Sequence, residues 1–126
     1  MKDLKIAVID GLGGGLGSQI IEILQKNLKN IDELIALGTN SQATSRMINN
    51  GADRGATGEN AIRFTVKKAD IIVGPIGIVI PNAMSGEIST SMAEAIASCN
   101  AKKFLIGIKQ PHVNIIGIEG LSIGKL

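Results

Sequence analysis

The sequence has no tryptophan and no tyrosine, and phenylalanine occurs only at Phe64 and Phe104. Stacking platforms for single-stranded nucleic acid or for a flavin ring are therefore nearly missing, and a tyrosine general acid is excluded. There is one cysteine, Cys99. It excludes an internal disulfide and agrees with a reducing compartment. There is one histidine, His112. One histidine and one cysteine do not make a zinc site from nitrogen and sulfur ligands. Thirteen basic and eleven acidic side chains leave a net charge of only +2, without a basic face, so nucleic acid is not an expected partner. No apolar run is long enough to span a bilayer, and the N-terminus enters a strand rather than a signal peptide. The expectation is a cytoplasmic protein with no membrane partner.

What remains suits a packed core: 44% of the 126 residues are hydrophobic and 19% charged. The length fits a single domain over 1–126. A domain of this size buries a smaller share of its surface than a larger enzyme does, so a homo-oligomer is expected.

Leu4 to Ile9 reads as a first strand, mostly apolar because a parallel sheet is covered on both faces. From Leu16 to Lys29, Ile20, Ile21, Leu24 and Leu28 recur at helical spacing. Glu33 to Leu37 is a second strand ending at Gly38, which completes a βαβ unit. A helix is expected over 41–50, capped by Thr39 or Ser41 and stopped by Gly51. A short third strand is expected within the glycine-rich residues 51–58, a helix over 59–68, and a strand over 69–74 stopped by Pro75. Between Pro75 and Ser89, Gly77 and Pro81 oppose any long regular element. Ser91 and Glu94 have capping-box spacing and open a helix through Cys99. Lys103 to Ile108 is the next strand, and His112 to Ile118 the last, with an antiparallel hairpin as one pairing open to it. The sum is an α/β three-layer sandwich, a Rossmann-like, mostly parallel sheet of five or six strands, with its ligand crevice at the carboxyl ends.

The most informative segment joins the first strand to the first helix: Asp10-Gly11-Leu12-Gly13-Gly14-Gly15-Leu16-Gly17. Glycine lets a backbone turn tightly and lets phosphate oxygens approach its N–H groups. The helix behind it offers unpaired N–H groups and the positive end of its dipole. Gly11, Gly13, Gly14, Gly15, Leu16 and Gly17 are accordingly the expected contacts of a dinucleotide. The competing reading is a glycine-rich turn without a ligand. Gly17 directly precedes Ser18 and no lysine lies in the loop, so a phosphate-transferring P-loop is not expected. The spacing of Gly11, Gly15 and Gly17 resembles that of short-chain dehydrogenases. Their catalytic tyrosine has no counterpart here, so the resemblance extends to cofactor contact alone. Gly11 and Gly13 also form half of a G-x-G-x-x-G pattern, whose third glycine is replaced by Leu16.

Sites for NAD carry an acidic residue at the end of the second strand. Here that place holds Thr39, Asn40 and Ser41, with Arg46 a turn further on. Neutral polar groups lean towards NADP over NAD, while the competing reading is a plain helix cap. Asp10 either accepts N–H bonds from its own glycine loop or holds a cation; the former is favoured. Gly74, Pro75, Ile76 and Gly77 follow a strand and border the expected crevice. Gly55 to Asn60 is a second small-residue loop at the same mouth, unless Thr57 simply caps the next helix. Of the polar residues nearest the crevice, Glu59, Asn60, Glu87 and Asp70, the first two are the better candidates for ligand contact. Asp70 starts a strand and belongs at the opposite edge. His112 reads as a turn or surface residue, and Cys99 as a small core residue.

Taken in order, Ile9 to Gly15, Ala36 to Asn40, Gly55 to Ile62, Gly74 to Ile78 and Met92 to Ser98 resemble a short bacterial family known only as a domain of unknown function. That resemblance implies a stand-alone Rossmann-like domain and brings no activity with it. Three functions stay open. One is an NAD(P)-binding protein that senses or carries the dinucleotide. Another is a compact NAD(P)-dependent oxidoreductase with its active site at a dimer interface. The third is a ligand-free interaction module.

Overall fold

The structure is a computed structural model that describes residues 3–117. Five strands alternate with four helices: β1 (Leu4–Asp10), α1 (Gly15–Asn27), β2 (Ile31–Gly38), α2 (Ser41–Asn49), β3 (Arg54–Thr57), α3 (Glu59–Val66), β4 (Ile71–Pro75), α4 (Thr90–Ser98) and β5 (Lys102–Ile106). One turn of 3-10 helix, Ile76–Val79, follows β4. The strands form one sheet in the order β3-β2-β1-β4-β5, and all four pairings are parallel.

Alternation along β1 builds the three layers. Ile6 and Val8 point to one face and pack with Leu16, Ile20 and Ile21 of α1 and with Ala43 and Met47 of α2. Ala7 and Ile9 point to the other and pack with Ile62 and Val66 of α3 and with Met92 and Ile96 of α4. Side chains two apart in a strand share a face, so the stretch Ile6 to Ile9, buried on both sides, is apolar at every position. Two aspartates close the amino-terminal edge. Asp53 accepts from the Leu34 N–H at 2.8 Å and Asp70 from the Lys5 N–H at 2.9 Å. Asp70 is thus at the edge remote from the crevice.

Register fixes the opposite rim. Asp10 lies beside Gly38, Gly38 beside Thr57, and Pro75 beside Ile106. The strand order reverses between β1 and β4, and a crevice at the carboxyl ends of such a pair is where open α/β sheets bind ligands.

Several boundaries differ from the sequence reading. The cap of α2 is Asn40, whose side chain accepts from the Ala43 N–H at 2.9 Å, and not Thr39 or Ser41. The cap of α4 is Ser89, which accepts from the Met92 N–H, so the helix starts before the Ser91–Glu94 box. Gly58, with φ 99°, takes the position before α3 that the competing reading of this loop gives to Thr57. β4 runs through Pro75 instead of stopping before it, because a proline at a strand end forfeits only one N–H.

The expected strand over 112–118 does not form within the described residues, and Ile118 lies outside them. A single antiparallel bridge joins Gln110 to Val113. Pro111 has no N–H to give a ladder, and Gly117 adopts φ 93°. The chain leaves the edge of the sheet at Ile106 and folds over its carboxyl rim.

Candidate functional site

A cavity of about 420 Å³ opens on that rim. Its floor is Asp10 to Leu16, and Pro75 at the end of β4 borders it. Met84 and Ser85 cover one side, and Ile108 to Pro111 the other. Of the residues expected from sequence, the cavity brings together Gly11, Gly13, Gly14, Gly15, Leu16 and Pro75.

The loop's glycines fall into two sets. A Cβ at Gly14 would stand 2.8 Å from Ala43 Cα, and Gly14 holds φ 76° as the N-cap of α1. A Cβ at Gly17 would stand 2.6 Å from Met47 Sδ and 2.7 Å from Asp10 Cβ. A Cβ at Gly11 would meet Thr39, Met84 and Glu87. Packing of the chain on itself explains these three. Gly13 and Gly15 face nothing closer than the Arg46 guanidinium, at 3.9 and 3.6 Å, and neither has a positive φ. The fold does not require glycine at either position.

The loop's N–H groups divide in a similar way. Gly14 donates to Gly11 O, Ser18 to Gly14 O and Gly17 to Asp10 Oδ2 at 2.6 Å. The Leu12 N–H goes to Glu87 Oε1 at 2.8 Å. Among the described residues, the N–H groups of Gly13, Gly15 and Leu16 have no acceptor. They stand at the positive end of the thirteen-residue α1. Arg46 Nη1 lies 3.4 Å from Gly13 O, so its positive charge sits beside this corner.

Asp10 is buried, and burial pushes its carboxyl above the ordinary carboxylate range. N–H bonds from Gly17 and Gly11 pull it back, the Glu87 charge raises it and Arg46 lowers it. Its acceptance of the Gly17 N–H ties the end of β1 to the first turn of α1, the kind of role favoured from sequence.

From sequence, Glu87 lies near the crevice but ranks below Glu59 and Asn60; the structure reverses that ranking, since Glu87 is the one bonded to the glycine loop. Its Oε1 accepts from the Leu12 N–H, from Thr39 Oγ1 and from Asn40 Nδ2, the last at 3.0 Å. Asn40 Nδ2 also donates to Leu12 O at 2.9 Å. Leu12 is thereby held at both backbone groups in a left-handed conformation, φ 52°. Burial opposes ionisation of Glu87, but the bonds from Thr39, Leu12 and Asn40 outweigh it and hold the carboxyl below its usual range. The segment that delivers Glu87 is a tight coil. Asn82, Met84 and Ser85 all have positive φ, although none is glycine. Such backbone is uncommon, costs on the order of 1 kcal/mol per residue and gives no signal in composition.

The other expected residues lie away from the cavity. Thr39 and Asn40 face Glu87. Ser41 is exposed at the start of α2, and Asn60 on α3. Glu59 accepts from Ser89 Oγ. Gly74 brings β4 against β1, since a Cβ there would stand 2.5 Å from Ile9 O. Ile76 and Gly77 belong to the 3-10 turn, with Gly77 beside the Gln110 side chain. His112 is exposed in a turn, and Cys99 Sγ donates to Ile96 O at the edge of the core. Lys109 and Gln110, which close the cavity, carried no sequence signal because they follow the last strand in an irregular segment. Among the described residues no group of three or more His, Cys, Asp or Glu could hold a metal ion, and no helix is long and apolar enough to cross a membrane.

Opposed pH dependences follow for the two carboxylates. The raised Asp10 adds stability that is fully present below its unfolded value, about 3.9, and is lost as pH rises through its higher folded value. Glu87 does the reverse: its contribution is present above about 4.3 and is lost as pH falls through its lower folded value. Urea unfolding of the wild type, Asp10→Asn and Glu87→Gln between pH 3 and 7 should show the Asp10→Asn difference shifting in the variant's favour as pH rises. The Glu87→Gln difference should shift against the variant over the same rise. Parallel curves for all three proteins would contradict both assignments.

Together these features define the class: a Rossmann-like three-layer α/β protein with a glycine-loop cavity where its strand order reverses. The family is the one described as Domain of unknown function (DUF3842). It matches residues 5–126, and the chain belongs to it. Comparison with curated proteins returns no match.

Proposed function

We propose that this chain binds a nicotinamide dinucleotide, NAD or NADP, at the glycine loop, and that it senses or carries the dinucleotide. One observation supports this above all. Gly13 and Gly15 are glycines that the fold itself does not need. They border a cavity at the switch point, with the free N–H groups of Gly13, Gly15 and Leu16 and the cation of Arg46 at one corner. Close approach of a diphosphate gives both glycines a reason. The cavity on the β4 side is large enough for one nucleoside half and has apolar walls in Leu12, Met84 and Ile108.

Carriage or sensing is favoured over turnover by the walls of the cavity. Their titratable side chains are Asp10 and Lys109, and Asp10 is already bonded to Gly17. The open cavity speaks against a ligand-free module. A homo-oligomer belongs to the same proposal, since Phe64 and Phe104 are about half exposed.

Calorimetry and thermal unfolding against NAD, NADP, ATP, FMN and S-adenosylmethionine test the reading. A nicotinamide dinucleotide at a hundredfold excess over its Kd should add about 2.7 kcal/mol to stability. No response to either NAD or NADP would refute it. Turnover of the reduced dinucleotide with a panel of carbonyl compounds would move the chain from carrier to oxidoreductase.

A further inference from the structure

We infer that Glu87 sets which dinucleotide the site takes, selecting NAD over NADP by placing a carboxylate where the ribose next to the glycine loop would lie. The inference rests on the reading that the loop binds a dinucleotide. In folds of this order that ribose lies beyond the end of the second strand. Judged by residues 38–41 alone, that place is neutral. The folded chain changes its charge, because the coil after β4 brings Glu87 onto Thr39 and Asn40.

Three details define its role. First, Glu87 Oε1 takes three donors and is saturated, whereas among the described residues Oε2 accepts from none. An ionised oxygen with a free acceptor face matches the vicinal hydroxyls of an unmodified ribose. Second, the neutral donors that would hold a 2′-phosphate, Thr39 Oγ1 and Asn40 Nδ2, already face this carboxylate. A phosphate there would meet like charge. Third, among the described residues no cation is paired with Glu87. Arg46 is directed at Gly13 O, on the diphosphate side of the loop. The position of Glu87 is braced locally: its own N–H donates to Met84 O at 3.1 Å, Gly86 N–H to Asn82 O, and Ile88 N–H to Ala83 O.

The test is calorimetry on the wild-type chain with four probes: NAD, NADP, AMP and adenosine 2′,5′-bisphosphate. NAD should bind more tightly than NADP by about tenfold or more, and AMP more tightly than the bisphosphate by a similar factor. Both ratios should shrink as salt screens the repulsion. Glu87→Gln should bring each ratio to within about threefold of unity or invert it, since it removes the charge and keeps the shape. Equal wild-type affinities within each pair, or a Glu87→Gln protein with unchanged ratios, overturns the inference and leaves the loop reading standing. If none of the four probes binds, the loop reading fails and the inference fails with it. The wild-type probe pairs decide the matter even if the variant does not fold.

Discussion

Gly15→Asp is expected to abolish dinucleotide binding, lowering affinity by at least about a hundredfold, because it puts bulk and negative charge among the free N–H groups at the start of α1. The loss should not come from unfolding. Gly15 is the first residue of α1, its φ is not positive, and a Cβ there would stand 3.6 Å from a flexible guanidinium. Gly15→Ala is the companion that separates the two causes. Ordinary contact and a compatible backbone should leave its stability unchanged or raise it by about 0.4–1 kcal/mol. Its binding should still fall, since the methyl group occupies the space in which a phosphate would approach the backbone. Calorimetry and urea unfolding on the same samples check both halves. If Gly15→Asp binds NAD or NADP as the wild type does, the loop is not the site.

Gly14→Ala should do the opposite and damage the fold. Two costs add at this position. The left-handed backbone, φ 76°, costs an L-residue about 1–2 kcal/mol. The new Cβ also meets Ala43 Cα at 2.8 Å and Ala43 O at 3.0 Å, and backbone at that distance must move bodily. Overpacking of this kind costs about 1–3 kcal/mol more. The sum, roughly 2–5 kcal/mol, should lower Tm by about 10–20 °C for a chain of this size. Gly13→Ala, one residue earlier, should shift stability by less than about 0.5 kcal/mol, since its Cβ would face only Arg46 at 3.9 Å. A thermal melt of the two variants side by side makes the comparison. Equal melting temperatures would mean that α1 and α2 do not meet where Gly14 touches Ala43. Adjacent glycines that look alike in the sequence thus have different reasons to be glycine.

Much of the architecture was legible because short-range rules govern it. The run Ile6 to Ile9 is apolar without alternation, as suits a strand covered on both faces. The spacing of Ile20, Ile21 and Leu24 gave α1, and Gly38 gave the end of β2. The caps were harder, since Thr39, Asn40 and Ser41 are all competent and which one turns its side chain onto the helix depends on neighbouring contacts. Asn40 caps while also bonding Leu12, and Thr39 is drawn to Glu87. The last expected strand was misread because Val113, Ile115 and Ile116 look like strand residues. Pro111 and Gly117 break the ladder on either side of them.

The sequence by itself determined the order of strands and helices, the layering of the core and the glycine loop between β1 and α1. These depend on periodicity and on backbone freedom, which act over a few residues. Tertiary structure alone decided which glycines are open, which N–H groups remain free and which charge stands at the end of β2. Those depend on side chains meeting across the fold: Gly14 on Ala43, Gly17 on Met47, and Glu87 on Leu12, Thr39 and Asn40. The reach from Glu87 to Thr39 crosses a coil built from left-handed residues that are not glycine, and local rules do not anticipate such backbone.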